Sequence, residues 1–237
     1  MERKKGLFHP SNEIQEKFGR VIVLDDAAHA FGASRDGKMC GEVADFTSFS
    51  FHAVKNLTTA EGGALVWREI PGIDNDWIYN QFMLLSLHGQ NKDALAKCWD
   101  WEYDIVMPAY KCNMTDISRD WIGQTEISGD TCAQERDTEK YRGGLSELPV
   151  DMLMHTRQRT AKSSFSYHLC LVRLNGKGLE FRNQLIIDMA EAGVAANVHY
   201  KPLPMHTAYK KLGFDIKVIQ MHIGSLRMRL RCRCIPA

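Results

Sequence analysis

The stretch Asp45–Leu65, D-F-T-S-F-S-F-H-A-V-K-N-L-T-T-A-E-G-G-A-L, decides how this chain is read. Phe46, Ser48 and Ser50 alternate with Thr47, Phe49 and Phe51, the pattern of a strand packed differently on its two faces. Glu61-Gly62-Gly63 breaks the run before a second apolar stretch. Lys55 therefore falls in the loop just beyond a strand end. A lysine there is usually a solvated loop residue, and its surroundings are what point to chemistry. Hydroxyls stand nearby at Ser48, Ser50, Thr58 and Thr59, and an earlier apolar run, V-I-V-L-D-D-A-A-H-A-F-G-A at 21–33, ends on Asp25 and Asp26 with His29 following. In an open α/β sheet, ligands collect beyond the carboxyl ends of the strands, so acids in that place have a functional reading. Capping of a helix that starts at Ala27 is an equally fair reading for one of the two aspartates.

Outward from these strands the pattern continues as α/β. Ser11 is placed to cap a short helix with Ile14 and Phe18 on one face and Gly19 as its stop. Arg20 to Leu24 reads as a buried strand, and Asp74 to Leu87 as a helix carrying Trp77, Ile78, Phe82, Leu84 and Leu85. Residues 90–112 are rich in aromatics and read as core filling or a subunit contact. A second unit is expected from about Thr138, so that 1–137 and 138–237 form two domains. In the second, Tyr167–Leu174 reads as a strand. Glu180–Ala192 reads as a helix with Phe181, Leu185, Ile186 and Met189 inward, and Val194–Tyr200 as a further strand.

Composition narrows the function classes. With 237 residues, 44% of them hydrophobic, the chain can bury a core; 30 basic against 29 acidic residues leave a charge of +1, which does not suggest a nucleic-acid binder. The seven cysteines form no CxxC pair, and an odd number suits the reducing cytoplasm better than a disulfide framework. Cys232 and Cys234 lack partner ligands, so no metal site is expected. No apolar run is long enough to span a bilayer, and Met1–Gly19 has no signal-peptide centre.

The two opening motifs resemble the DegT/StrS family of pyridoxal-phosphate-dependent sugar aminotransferases, whose pattern runs D-A-A-x-A-x-G-A, then S-F-x-x-x-K-N-L, then G-G-A. Asp26, Ala27, Ala28, Ala30, Gly32, Ala33, Ser50, Phe51, Lys55, Asn56, Leu57, Gly62, Gly63 and Ala64 fall on it in order. H-G-Q at 88–90, W-E-Y-D-I at 101–105, A-Y-K-C-N-M-T-D-I at 109–117 and V-H-Y-K-P-L at 198–203 extend the likeness over most of residues 12–214. The resemblance implies part of a fold-type-I transferase, an incomplete large-domain sheet plus a small C-terminal α+β domain. It implies pyridoxal 5′-phosphate as cofactor and a homodimer as the intact assembly. The implied reaction is amino transfer, with glutamate as expected donor, to a nucleotide-linked keto-sugar in polysaccharide or amino-sugar biosynthesis.

Residue roles follow from the same resemblance. Lys55 would bond the cofactor through its amine and then carry the proton; Asp26 would keep the ring nitrogen protonated; His29 would lie by the ring; Ser50 would donate to the phosphate. Lys111 stands where the family has an asparagine for a neighbouring subunit's phosphate, and would serve there as a point charge. His199 and Tyr200 would face the sugar.

Two stretches depart from the family pattern. After Asp116 the family continues A-A-I-G-L-x-x-L, where this chain has S-R-D-W-I-G-Q-T-E; near the end the family has S-L-P-L-Y-P, where this chain has R-L-R-C-R-C-I-P. Back-translated with one choice of codons and read one and two nucleotides later, respectively, both yield family-like sequence; the alternative is diverged sequence that matches through codon freedom. We therefore read 118–137 and the stretch from about Asp215 as translated out of frame, with a helix after Asp116 that forms or packs badly; the codons decide it. A second reading of the whole chain follows, as a non-catalytic truncated remnant of such an enzyme. A third, a hydrolase using Asp26 and His29, lacks a nucleophile elbow or metal-ligand spacing.

Overall fold

The computed structural model describes residues 8–91, 103–124, 127–153, 163–198, 200–218 and 229–232, divided between two compact units, 1–125 and 126–237. In the first, the alternation around Asp45 does produce a strand. β1 (Leu24–Asp26), β2 (Ser34–Arg35), β3 (Lys38–Met39), β4 (Phe46–Ser50) and β5 (Gly63–Trp67) follow the short helix α1 (Glu13–Phe18), and α2 (Asn75–Ser86) comes after them. The main sheet has the order β1–β4–β5. β1 runs parallel to β4, with Leu24 opposite Phe46 and Asp26 opposite Ser48, and β5 returns antiparallel, with Phe46 opposite Trp67 and Ser50 opposite Gly63. β2 and β3 form a small antiparallel hairpin.

One face of this sheet carries the core. Phe46, Ile70 and Ile78 are buried, with Ile14 and Phe18 of α1 and Phe82 of α2 packed against them. Each large apolar side chain fully buried there contributes roughly 1.5–3 kcal/mol. The ends of both helices follow from the residues at them. Asn12, not Ser11, caps α1, its side chain accepting from the Gln15 N–H, and Gly19 closes it at φ 59°. Asp74 caps α2 by accepting from the Asp76 N–H.

The strand before Asp26 departs from expectation. Regular pairing covers only Leu24–Asp26, and Val21, Val23 and Leu24 are 67%, 54% and 66% exposed, so that of the apolar run only Ile22 packs on the core. It is held at its entry by charge instead. Arg20 donates from both terminal nitrogens to the Asp45 carboxylate at 2.6 and 2.7 Å, and the same carboxylate accepts from the Val23 N–H at 2.9 Å. The Arg20 guanidinium lies 4.9 Å above the Phe18 ring. The Arg20 hydrogen bond, ahead of an opposing contribution from burial, holds the Asp45 carboxyl below the usual carboxylate range.

A carboxyl depressed in the folded state adds stability above its unfolded pKa and loses it as pH falls through the folded value. Asp45→Asn is accordingly expected to cost about 1–3 kcal/mol at neutral pH. It should also flatten the loss of stability below about pH 4, as read from urea midpoints across the acid range.

The second unit is a layer of helices on an antiparallel sheet. Preceded by α3 (Asp116–Gln124) in the first unit, it runs α4 (Ile127–Leu145), β6 (Val150–Met152), β7 (Ser163–Ser164), β8 (Cys170–Leu174), α5 (Leu179–Glu191), β9 (Ala196–Val198), α6 (Thr207–Lys211) and β10 (Arg229–Cys232). Four of its strands are ordered β6–β8–β10–β9. Cys170, Val172 and Leu174 alternate inward on β8, and Tyr141, Leu145 and Met189 pack against Cys170 and Val172.

Three expectations change here. The strand expected from Tyr167 begins at Cys170, because Tyr167 has φ 49°, outside the strand region. Phe181 is exposed on α5, with the Lys177 ammonium 4.9 Å over its ring, while Arg182 is half-buried and burial lowers its pKa. The stretch after Asp116 does form a helix, α3, although Ile117 on it is 86% exposed.

Candidate active site

Because β1 and β4 are parallel, their carboxyl ends lie at the same edge of the sheet, which makes a site there possible to build from local sequence. Asp26 is the last residue of β1, and the Ala27 N–H donates to the Ser48 carbonyl at 2.9 Å, carrying the pairing one residue further. The Ser48 hydroxyl donates to the Asp25 carbonyl at 3.4 Å. No helix begins at Ala27. Instead, turns closed by Ala30 N–H to Ala27 C=O and Ala33 N–H to Ala30 C=O lead the chain away. Asp26 is exposed, and its Oδ1 accepts from the Ala28 N–H at 3.2 Å, an Asx turn that orients the carboxylate. His29 sits half-buried within these turns.

Lys55 lies in the connection between β4 and β5, and that connection is tied across itself. Phe51 N–H donates to Gly62 C=O at 2.9 Å, Thr59 N–H to Phe51 C=O at 2.9 Å and Ala53 N–H to Ala60 C=O at 2.8 Å. At the tip, Lys55 N–H donates to His52 C=O at 2.8 Å. Buried Phe51 and Leu57 anchor the loop from below. Among the described residues the Lys55 ammonium has no hydrogen-bond or ion-pair partner. The Ser50 hydroxyl accepts from the His52 N–H at 3.4 Å, which leaves its own hydrogen to donate elsewhere.

Contacts that the strand pattern did not foretell hold the two loops in register. Phe31, from the turns after Asp26, stands edge-on to both Phe49 and Phe51 at 5.3 and 5.4 Å, clamping the Asp26 segment to the root of the Lys55 loop. His52 Nε2 lies 3.6 Å from Glu61 Oε1 across that loop. The two glycines have separate reasons. A Cβ at Gly62 would come within 2.6 Å of both Met114 Sδ and Thr59 Oγ1, and one at Gly63 within 2.6 Å of the Phe49 carbonyl oxygen. The segment bearing Lys111 thus reaches this loop through Met114. Lys111 itself bridges to Leu87, and its ammonium donates to Asn113 Oδ1. The periodic signal for Phe31 and Met114 is weak, since both lie in irregular chain.

Burial, and after it the Asp25 charge, pushes the Cys40 thiol up, away from the thiolate. Of the other expected residues, Tyr200 belongs to the second unit and is 60% exposed, and His199 lies outside the described residues. Among the described residues no cluster of His, Cys, Asp or Glu could hold a metal ion. No helix among them is long and apolar enough to cross a membrane.

The profile of the DegT/DnrJ/EryC1/StrS aminotransferase family matches residues 11–220. The chain belongs to that family. Its members include the spore coat polysaccharide biosynthesis protein SpsC of Bacillus subtilis, 30% identical over 201 residues that make up 81% of this chain and 49% of the relative. A UDP-4-amino-4,6-dideoxy-N-acetyl-β-L-altrosamine transaminase of Campylobacter jejuni is 30% identical over 198 residues, 84% of this chain and 50% of that protein. Among solved structures, a sugar aminotransferase of Streptococcus pneumoniae in its PMP-form superposes with a TM-score of 0.86 at 43% identity, covering 94% of this chain and 56% of that one. The same protein is known in a PLP-form, so the cofactor expected from the motifs is the cofactor of the matched structures. The DegT-family chain described here spans about half the length of the curated relatives it matches.

Proposed function

We propose that this DegT-family chain carries the lysine and the acid of a pyridoxal-phosphate-dependent sugar aminotransferase. It would act in the cytoplasm as part of a homodimer and move an amino group from glutamate to a nucleotide-linked keto-sugar. The observation that carries the proposal is the parallel register of Asp26 with Ser48. It sets an exposed carboxylate and the loop of an unpartnered lysine at one end of one sheet. The residues fit the group: an amine with no competing partner among the described residues, an exposed acid held through one oxygen, and a hydroxyl at Ser50 whose own hydrogen is left to donate.

Bound there, the cofactor supplies an electron sink for charge that develops on the amino donor's α-carbon. Lys55 Nζ is the amine that would hold the cofactor and, once released from it, the base that would take up and return the migrating proton. Asp26 is the acid that would keep the ring nitrogen protonated, and His29 the residue that would lie by the ring. Ser50 Oγ would donate to the phosphate, and the Lys111 ammonium would serve a neighbouring subunit's phosphate as a point charge. His199 and Tyr200 are the residues offered to the sugar. The kinship with a transaminase of a UDP-linked amino sugar and with a polysaccharide-biosynthesis protein supports the substrate class.

A second reading, a non-catalytic remnant, is favoured by the exposure of β1, because an acid at the end of a strand with one neighbour is less firmly held. A visible-absorbance titration of the full chain with pyridoxal phosphate separates the two. A saturable new band is expected, followed by amino transfer from glutamate to at least one of a panel of nucleotide-linked keto-sugars. A spectrum equal to the sum of free cofactor and protein refutes cofactor binding; binding without transfer leaves the remnant.

A further inference from the structure

His52 stands between Ser50 and Lys55 and is tied to both through its own backbone. Its N–H donates to Ser50 Oγ at 3.4 Å, and its C=O accepts from the Lys55 N–H at 2.8 Å. Its ring reaches across the loop, with Nε2 3.6 Å from Glu61 Oε1. Whatever fixes the ring of His52 therefore bears on the hydroxyl and on the lysine together.

The backbone around Glu61 makes a second, independent observation. Ala60, directly before it, has φ 66°, a left-handed conformation that a residue other than glycine keeps only where its surroundings hold it there. That turn brings the chain back over the start of the loop. The Ala60 C=O accepts from the Ala53 N–H at 2.8 Å, the Ala60 N–H donates to Thr58 Oγ1 at 3.0 Å, and the Glu61 C=O accepts from the Thr59 hydroxyl at 2.8 Å. His52 precedes Ala53 and Glu61 follows Ala60, so the ring and the carboxylate meet beside the Ala53–Ala60 hydrogen bond, at the mouth of the strained turn. Glu61 is also the one carboxylate in residues 51–63, so the loop holds no second acid to take its place.

We propose that His52 is a positioning residue for this site, an inference that rests on the reading of Lys55 and Ser50 as cofactor residues. The His52 imidazolium engages Glu61, the contact clasps the mouth of the loop, and the clasp fixes the backbone spacing between the Ser50 hydroxyl and the Lys55 amine. His52 acts through the loop and not by touching the cofactor. The pair is ionic when the imidazole carries its second proton. Both side chains reach solvent, and an exposed ion pair is worth only a few-fold in an equilibrium. The expected effects are therefore modest, and they fall on how often the loop is closed and not on whether the first unit folds.

The test is a double-mutant cycle on the full chain in a slightly acid buffer, about pH 6, where an imidazole is largely charged. The variants are His52→Gln, Glu61→Gln, the two together, and His52→Lys. Hydrogen exchange at the Ala53 and Lys55 amides is read in the cofactor-free chain, and the pyridoxal phosphate concentration at half-saturation is read from the visible band. Each glutamine variant should speed exchange at both amides and weaken cofactor binding about two- to fivefold, with the thermal midpoint unchanged. The double variant should lose no more than either single one, because the two residues act as one contact. His52→Lys keeps a cation opposite Glu61 and should hold both values near those of the unchanged chain. Unaltered exchange at the two amides overturns the clasp even where cofactor binds normally. So do losses that multiply in the double variant, or a lysine variant as impaired as the glutamine one. Absence of a cofactor band in every form, the unchanged chain included, overturns the aminotransferase reading and the positioning role with it, whatever the amides show.

Discussion

Lys55→Ala is expected to abolish the visible absorbance change on adding pyridoxal phosphate and to lower amino transfer by roughly 10²–10⁴-fold or more, the range lost with a positioned acid–base group. The fold should not register the change. Lys55 takes part in its loop through its backbone N–H to His52, which alanine retains, and the loop is anchored by Phe51 and Leu57. An unaltered thermal midpoint alongside a lost spectrum therefore reports chemistry. Lys55→Arg sharpens the result: arginine keeps the charge but cannot give up its proton, so a merely electrostatic lysine is replaced by it and a nucleophilic one is not. A cofactor spectrum that survives in the alanine variant ends the assignment.

Gly89→Ala is expected to be the most damaging small substitution in the first unit. Gly89 has φ 72°, and a Cβ there would come 1.9 Å from the carbonyl oxygen of Met107, a backbone atom that cannot swing aside. The strap 103–112 rides on the end of α2 through His88 N–H to Tyr110 C=O at 2.7 Å, Tyr110 N–H to Leu85 C=O at 3.1 Å and Val106 N–H to Gly89 C=O at 2.9 Å. Overpacking and a left-handed alanine together cost about 2–4 kcal/mol. The expected result is a lower urea midpoint with faster amide exchange through 103–112. Gly176→Ala is the control. Its φ is 66° but nothing lies within 4 Å of its Cβ, so only the conformational cost of about 1 kcal/mol remains. Equal losses at the two positions would mean that the strap contact contributes nothing.

Where the sequence was read correctly, the physics was local. β4 was legible because side chains alternate along an extended chain, so Phe46 and Thr47 must part to opposite faces whatever surrounds them. The start of α2 was legible because Asp74 caps it within its own first turn, accepting from the Asp76 N–H. Errors arose where burial was inferred from composition. Val21–Leu24 is as apolar as any interior strand, yet nothing in those residues states whether a neighbour is present: Ile22 packs on the core, while Val21, Val23 and Leu24 are exposed. Phe181 departs similarly: Leu185, Ile186 and Met189 are half-buried as their spacing on α5 suggests, but Phe181 is exposed and Arg182 is half-buried in its stead.

By itself the sequence determined the local periods of the strands and helices, the ordered motifs that make the chain a DegT-family member, and the presence of Lys55 in a loop after a strand. Only the tertiary structure decided that β1 lies parallel to β4 with Asp26 opposite Ser48, that Phe31 joins the two loops, and that Met114 closes on Gly62. The difference is one of range. A side chain's direction is set by the dihedral angles of its own residue and read from its neighbours in the chain. The partner of a strand is set by the free energy of bringing distant segments together, which no short window of residues contains.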